Sequence, residues 1–256
     1  MNVSVKTSVV LFGILEESSN NYRKLSKKTL CVLLVKNNSG YTLPEYNCDE
    51  LMDLDSQVRC AVEKCTGLKN LYVEQLYTFS QVKEDCLFVN PSFLGLISKS
   101  QMYDGLKGDC YWSELKIEEK EDSYNCEVIN ELENFRFVVS KKLKEQTTDR
   151  FKFGEVSNGL LNDGVSVTLI SAFERLRNKI NYTDIVFNMM GEKFTIKELQ
   201  QVYETIGNKK LLDAAFRRTI EDKVEETNEI LKGLGCRPSK VYKYKEKRYE
   251  NRGKSL

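Results

Sequence analysis

The sequence contains no histidine, and this absence removes whole classes of enzyme from consideration. Ser-His-Asp and Cys-His catalysis both use an imidazole as the general base. Histidine is also the side chain whose ordinary pKa lies closest to neutral pH. A hydrolase made from this chain would therefore depend on carboxylates and a bound metal ion.

The chain also lacks membrane-length apolar runs and metal-type cysteine spacings. No apolar run approaches the roughly 18 residues that a membrane helix needs. The apolar start is followed by acidic residues without a small-residue cleavage site, which favours a buried strand over a signal peptide. The eight cysteines form no C-x-x-C pair, so we expect reduced, buried thiols in the cytoplasm, with no metal and no cofactor.

Charge is distributed unevenly over an otherwise ordinary globular composition. The 256 residues are 41% apolar and 30% charged, which suits one large domain or two modest ones. The formal net charge is +1, yet residues 207–256 carry +6 and the remainder carries −5. A basic carboxy-terminal end favours an anionic partner there.

Residues 1–164 show a mixed pattern of strands and one helix. Leu51, Leu54, Val58, Val62 and Cys65 fall on one helical face, and Gly67 is placed to end that helix. Runs rich in large and β-branched apolar residues predict strands at 7–16, 28–36, 72–80, 86–98 and 110–115. An added β-hairpin or meander is expected at about 125–156, and a connecting helix follows at 165–181.

Residues 182–256 follow the plan of a winged helix. A short helix is predicted at 182–190, and a capping box, Thr195 to Glu198, opens a second helix with a buried apolar stripe. A third helix is predicted at 210–223, with an apolar stripe that starts at Leu212. Two strands, 225–231 and 239–245, flank a Gly- and Pro-containing turn and form the wing. In such folds the second helix of the helix-turn-helix enters the major groove of DNA.

Basic side chains in this region are the candidate DNA contacts. Arg217 and Arg218 can reach base edges or phosphates from the recognition helix, and wing cations can neutralise phosphates beside it. An alternative places Arg217 in an ion pair with Asp213 or Glu221 on its own helix. The full set of candidates is Arg217, Arg218, Lys223, Arg237, Ser239, Lys240 and Lys243.

Three segments resemble the NrtR-type Nudix-related transcriptional regulators. These are VEQLYTFS at 73–80, the run from SAFERLRNK to AAFRR at 171–218, and GCRPSKVYKY at 235–244. The resemblance implies an α+β protein, with a Nudix-like mixed α/β/α sandwich before a winged helix-turn-helix. It also implies a homodimer on palindromic double-stranded DNA, with ADP-ribose or a sugar-derived metabolite as effector.

The same resemblance implies that Nudix catalysis is lost. Gly67 and Leu68 fit the end of the Nudix pattern, and the metal-binding glutamate positions then hold Ala61, Lys64 and Cys65. Catalysis needs carboxylates on one helix face to hold Mg²⁺, whereas Lys64 would repel the metal. The other fixed positions of the Nudix pattern are an arginine, an earlier glutamate and a first glycine. They are replaced by Cys60, Met52 and Tyr46, and Glu63 lies at a position where the pattern allows any residue.

Ligand contacts are expected at Glu74, Gln75 and Tyr77, which match the E-Q-L-Y-T-F motif of the resemblance. The alternative is that Tyr77 and Phe79 are core aromatics. The next segment, SQVKEDCLFVN, lacks the arginines that could hold phosphates. Two other functions stay open: a Nudix hydrolase of a nucleoside diphosphate derivative with a relocated metal site, and a protein-interaction module.

Overall fold

The computed structural model describes most of the chain. The described residues are 2–17, 26–47, 51–102, 105–143, 151–157, 159–162, 164–231 and 238–245, with the backbone alone at 83, 142–143 and 151–157. Within these ranges, no helix is long and apolar enough to span a membrane.

A ten-stranded mixed sheet forms the centre of the molecule. Its strands are β1 (Asn2–Glu17), β2 (Lys27–Asn37), β3 (Gly40–Thr42), β4 (Glu45–Asn47), β5 (Tyr72–Lys83), β6 (Cys86–Leu96), β7 (Cys110–Glu119), β8 (Ser123–Ile129), β9 (Asn134–Leu143) and β10 (Phe151–Ser157). The main path runs β10-β9-β8-β7-β2-β1-β6-β5, with β3 on β2 and β4 on β1. The β1–β6 pair is parallel, whereas the other ladders are antiparallel. The predicted strands are therefore present, and β1 is longer than expected.

Helices cover both faces of this sheet. They are α1 (Leu54–Thr66), the single-turn α2 (Lys99–Met102) and α3 (Val165–Lys179). Successive side chains of a strand point to opposite faces, so Val9 and Leu11 pack in the cluster around α1, while Val10 and Phe12 pack in the cluster around α3. This is the expected mixed α/β/α sandwich.

Helix α1 begins later than its apolar spacing predicts. The Asp53 carboxylate accepts a hydrogen bond of 2.7 Å from the Ser56 N–H and caps the helix. Leu51 lies before this cap and is fully exposed, so its assignment to the buried face was wrong. Gly67 ends the helix at φ 75° and donates to the Glu63 carbonyl, as predicted.

The added segment at 125–156 continues the main sheet. Strands β8 and β9 pair in sequence from β7, and β10 pairs with β9. The segment is therefore a meander that widens the sheet, although 144–150 lie outside the described residues. Buried side chains on it, such as Cys126, Val128 and Phe137, belong to the core around α3.

The remaining elements form the winged helix. They are a 3₁₀ helix (Ile185–Met189), α4 (Ile196–Gly207), α5 (Asp213–Ile220), β11 (Val224–Leu231) and β12 (Ser239–Tyr244). The α-helix expected at 182–190 is therefore a shorter 3₁₀ helix. Helix α5 is also shorter than the predicted 210–223, because the chain turns at 221–223 before the wing starts.

One apolar core joins the sheet to the winged helix. Val10 and Phe12 of β1, Leu169 of α3, and Leu199 and Ile220 of α4 and α5 belong to one continuous cluster of buried side chains. Helix α4 also contacts β2 directly. The domain boundary predicted near 165–182 therefore does not divide the apolar core, because buried side chains pack continuously across it.

Candidate nucleic-acid interface and effector cavities

The α4–turn–α5 unit is fixed by side-chain hydrogen bonds at both of its bends. Thr195 and Glu198 form the predicted capping box at the start of α4. At its end Asn208, rather than Gly207, takes the left-handed conformation at φ 48°. Gln200 Nε2 donates to the Leu211 carbonyl and to the Asp213 carboxylate, both at 2.9 Å. These bonds set the angle at which α5 leaves the turn.

Helix α5 presents two free guanidinium groups on its outer face. Phe216 and Ile220 are buried, and the Phe216 ring meets Tyr203 edge-on at 5.2 Å. Arg217 and Arg218 are exposed, and neither forms an ion pair with any residue that the structure describes. Leu212, expected in the buried stripe, is 81% exposed because it precedes the first turn of α5.

The carboxylate nearest to Arg217 along the helix is already occupied. Asp213 accepts from Gln200 and lies 3.2 Å from Lys197 Nζ. The hydrogen bond from Gln200, together with the positive charges of Lys197 and Arg217, lowers the pKa of Asp213. Among the described residues, however, Arg217 forms no ion pair with Asp213 or with Glu221, so the alternative pairing is not what the structure shows.

The wing is anchored to the body of the domain. Phe194 and Tyr242 exchange backbone hydrogen bonds of 2.9 and 2.8 Å, which adds a short bridge to β12. The Tyr244 ring stacks on Phe187 with centroids 4.3 Å apart, and its hydroxyl donates to Asp184 at 3.2 Å. The described part of the wing is thus held in place.

The other described candidate cations differ from the two arginines of α5 because each has a carboxylate partner. Lys240 lies 2.8 Å from Glu226, Lys243 pairs with Glu225, and the largely buried Lys223 lies 2.8 Å from Asp184. Ser239 is exposed at the start of β12, and Arg237 lies outside the described residues. Of the described candidates, Arg217 and Arg218 alone present an unpaired positive charge.

The three expected ligand residues on β5 do not converge on one site. The strand has a β-bulge between Gln75 and Tyr77. A bulge interrupts the regular alternation, so it redirects the side chains that follow it. Gln75 is exposed and, with Glu74, borders a cavity of about 450 Å³ beside α1. Tyr77 is half exposed and packs edge-on against Phe79 at 5.1 Å. Neither aromatic lies in the buried core, so the core alternative is wrong.

Helix α3 holds this bulge through two side chains. Arg175 donates to the Leu76 carbonyl at 3.1 Å, and Lys179 pairs with the Glu74 carboxylate, which also accepts from the Tyr72 hydroxyl at 2.6 Å. The hydrogen bonds thus connect the two resembling segments, VEQLYTFS and ERLRNK. We call Glu74, Leu76, Arg175 and Lys179 the β5–α3 latch. Sequence spacing gives no signal for this contact, because 99 residues separate Leu76 from Arg175.

Helix α1 borders a second cavity, which is larger than the one beside Gln75. This cleft of about 660 Å³ lies between α1, β3–β4 and the start of β7, and Tyr46, Cys60, Lys64 and Cys65 line it. Ala61 is fully buried beneath it, Met52 lies 3.9 Å from the Cys60 sulfur, and Glu63 pairs with Lys69 at 3.6 Å. Within the described ranges, no cluster of three or more metal-type side chains is present. Sequence reasoning missed Lys107 and Cys110, which join the cleft from the far side.

Comparison with known proteins gives a family-level match for the carboxy-terminal domain. Residues 186–244 match the NrtR DNA-binding winged helix domain. A curated relative, the ADPR responsive transcriptional repressor NtrR of Acinetobacter baylyi, is 40% identical over 83 residues. That segment is 32% of this chain and 33% of the relative, so it spans about a third of the relative's length.

Solved structures match the fold over nearly the whole chain. A MutT/nudix family protein from Enterococcus faecalis superposes with a TM-score of 0.69 at 20% identity, over 96% of this chain and 87% of that one. Shewanella oneidensis NrtR, solved with a 27mer DNA, gives 0.61 at 22% identity, over 94% and 93%. The chain therefore resembles NrtR-type Nudix-related regulators in both of its parts, with an NrtR-type winged helix at residues 186–244 and a Nudix fold before it.

Proposed function

We propose that this chain is a DNA-binding transcriptional regulator whose Nudix-like domain senses a small-molecule effector. The observation that carries the proposal is the pair of exposed arginines on α5 that have no carboxylate partner within the described ranges, in a domain that matches the NrtR winged helix. Arginine on a helix in the major groove makes bidentate contacts with guanine edges or with phosphates. Binding of the purified chain to duplex DNA from upstream of its own gene, compared with random duplex, tests the proposal.

The recognition unit suits a palindromic operator read by a homodimer. Helix α5 is 8 residues long, so one unit reads only a short half-site. Two units related by a two-fold axis would read two half-sites one helical turn apart. A footprint of two half-sites with about 10 base pairs between their centres supports the dimer, and a single half-site footprint opposes it.

In this proposal, the effector binds to the Nudix-like domain. The cavity bordered by Glu74 and Gln75 lies beside the β5–α3 latch, and α3 packs against α4 of the winged helix. A ligand that moves β5 would therefore act on the element next to the DNA-binding unit. The curated relative is described as ADPR responsive, so ADP-ribose is the first effector to test, followed by sugar-derived metabolites.

We infer further that the domain does not hydrolyse nucleoside diphosphates. The positions that would hold Mg²⁺ carry a buried alanine, a cleft-lining lysine and a buried thiol at 61, 64 and 65, none of which is a ligand of this hard cation. Incubation of ADP-ribose with the protein and Mg²⁺ should yield no AMP. Magnesium-dependent turnover would instead favour a hydrolase with a relocated metal site.

A protein partner is the second candidate for the winged helix. The pairing of Lys240 and Lys243 with glutamates of β11 favours it, because these cations are partly neutralised before any phosphate arrives. Salt-sensitive DNA binding decides between the two, since only a nucleic-acid partner releases condensed counterions on binding.

A further inference from the structure

Three thiols line the cleft that replaces the catalytic site. Cys60 and Cys65 come from α1, and Cys110 is the first residue of β7. We call these three residues the cleft thiols. Six of the protein's eight cysteines lie in the described ranges, and all six are free thiols. The cleft thiols are thus half of them, brought together from segments 45 residues apart.

Backbone contacts bring the segments that carry two of the cleft thiols together. The Lys107 N–H donates to the Cys65 carbonyl at 2.8 Å, which brings the loop before β7 onto the last turn of α1. Cys110 pairs with Val35 in the sheet, so its backbone is fixed beside the cleft that it lines. Cys65 and Cys110 also belong to one cluster of buried side chains, and both line the same cleft.

The surroundings of this pair favour reaction at Cys110. The hydrogen bond from Cys65 lowers the pKa of Cys110, and the Lys64 charge acts in the same direction. The same bond, together with burial, raises the pKa of Cys65. Asp109 opposes ionisation of Cys110. Because the thiolate is the nucleophilic form, the lowered pKa of Cys110 favours this residue as the attacking thiol and Cys65 as the resolving thiol.

We propose that Cys65 and Cys110 form a modification site, which a hydroperoxide that enters the cleft converts to a reversible disulfide. Both residues are almost fully buried, and the cleft is the route by which a molecule as small as hydrogen peroxide reaches them. The disulfide covalently joins the end of α1 to the start of β7. The proposal concerns the thiols alone and does not depend on DNA binding.

The reaction balances with the hydroperoxide as the only oxidant. The Cys110 thiolate attacks one oxygen of hydrogen peroxide, the O–O bond breaks, and a sulfenic acid forms; the departing hydroxide takes up the proton that the Cys110 thiol had lost and leaves as water. The Cys65 sulfur then attacks the sulfenic sulfur, the S–O bond breaks, and a second water leaves with the thiol proton. Two thiols lose two electrons, and one hydrogen peroxide is reduced to two waters.

Tryptic peptide mapping of the full chain tests this site directly. Cleavage after Arg59, Lys64 and Lys107 places Cys60, Cys65 and Cys110 in three separate peptides, 60–64, 65–69 and 108–116. After treatment with hydrogen peroxide and alkylation of the remaining thiols, we expect 65–69 linked to 108–116. Dithiothreitol should release both peptides, and the protein should lose two of its eight thiols. A link through 60–64, a link between two chains, or irreversible oxidation of Cys110 without any link would overturn the proposal.

Matched variants provide the second test. Cys65→Ser and Cys110→Ser should each abolish the intramolecular link. Cys86→Ser, which removes a more exposed thiol outside the cleft, should leave the link unchanged. Peptide mapping of the unaltered protein tests the link without any substitution. The proposal can therefore be tested even if a variant misfolds. Persistence of the same link in Cys110→Ser, or its loss in Cys86→Ser, would show that the assignment is wrong.

Discussion

At the residue scale, two neighbouring arginines differ from most cations of this protein in having no carboxylate partner among the described residues. Lys197 and Gln200 occupy Asp213 and thereby leave Arg217 free, and Arg218 extends from the same outer face of α5. Lysines on the wing are held instead by Glu225 and Glu226. The free arginines are therefore the side chains on which base recognition is expected to depend.

We expect Arg217→Ala or Arg218→Ala to weaken binding to the specific operator by about 1–3 kcal/mol, because each substitution removes a guanidinium that reads a base edge. Fluorescence anisotropy titration with operator and random duplexes measures the change. Arg136→Ala is the control, because it removes an exposed guanidinium from the Nudix-like sheet, where it pairs with Glu127, and should leave both affinities unaltered. Equal affinity of all variants would show that α5 does not read the bases.

Lys240 is expected to act on all DNA sequences alike. It lies on strand β12 of the wing, and lysine binds phosphates as a point charge, so Lys240→Ala should lower the slope of log affinity against log salt by about one. Glu226→Gln is the informative partner variant, because it frees Lys240 from its carboxylate and should strengthen binding to random duplex. A loss of sequence preference in Lys240→Ala, with an unaltered slope, would contradict this role.

At the scale of elements, helix ends were more difficult to predict than helix faces. The apolar stripe and capping box of α4 follow from its sequence, and so does the glycine end of α1. Leu51 and Leu212 were misassigned because each lies on the correct helical spacing but before the first helical turn, where spacing carries no information. The 3₁₀ helix at Ile185–Met189 is only five residues long, too short for a period to distinguish it from an α-helix.

Contacts between distant elements had no sequence signal at all. The β5–α3 latch joins residues about 100 positions apart, and the bulge that separates Gln75 from Tyr77 depends on pairing with β6. The approach of Cys110 to Cys65 likewise requires the loop before β7 to fold onto α1. A resemblance in short segments identified both parts of the chain, but it could not place these side chains relative to one another.

The capping box of α4 is expected to contribute measurably to stability. Thr195→Ala removes the hydroxyl that accepts from the Glu198 N–H at 3.2 Å, and should lower the free energy of unfolding by about 0.5–2 kcal/mol. Thr219→Ala serves as the control, because that threonine is exposed on α5 and should alter stability by less than about 0.5 kcal/mol. Urea denaturation followed by far-ultraviolet circular dichroism measures both. An equal effect of the two substitutions would contradict the capping argument.

At the scale of the whole molecule, the sheet and the winged helix share one apolar core through α3. We therefore expect the full chain to unfold in a single transition. Its one tryptophan, Trp112, lies on β7 of the sheet and reports on that part alone, whereas circular dichroism also includes the winged helix. Urea curves from the two probes should coincide, and separate midpoints would show that the parts unfold independently.

We propose that the chain reads DNA with α5 and is controlled through its Nudix-like domain. The most direct measurement is fluorescence anisotropy of the purified protein on duplex DNA from upstream of its own gene, across a salt series, with and without ADP-ribose. The account predicts sequence-dependent affinity that falls as salt rises, with a shift when an effector of the correct class is added. Equal binding to random duplex at every salt concentration would contradict it and would favour a protein partner for the winged helix.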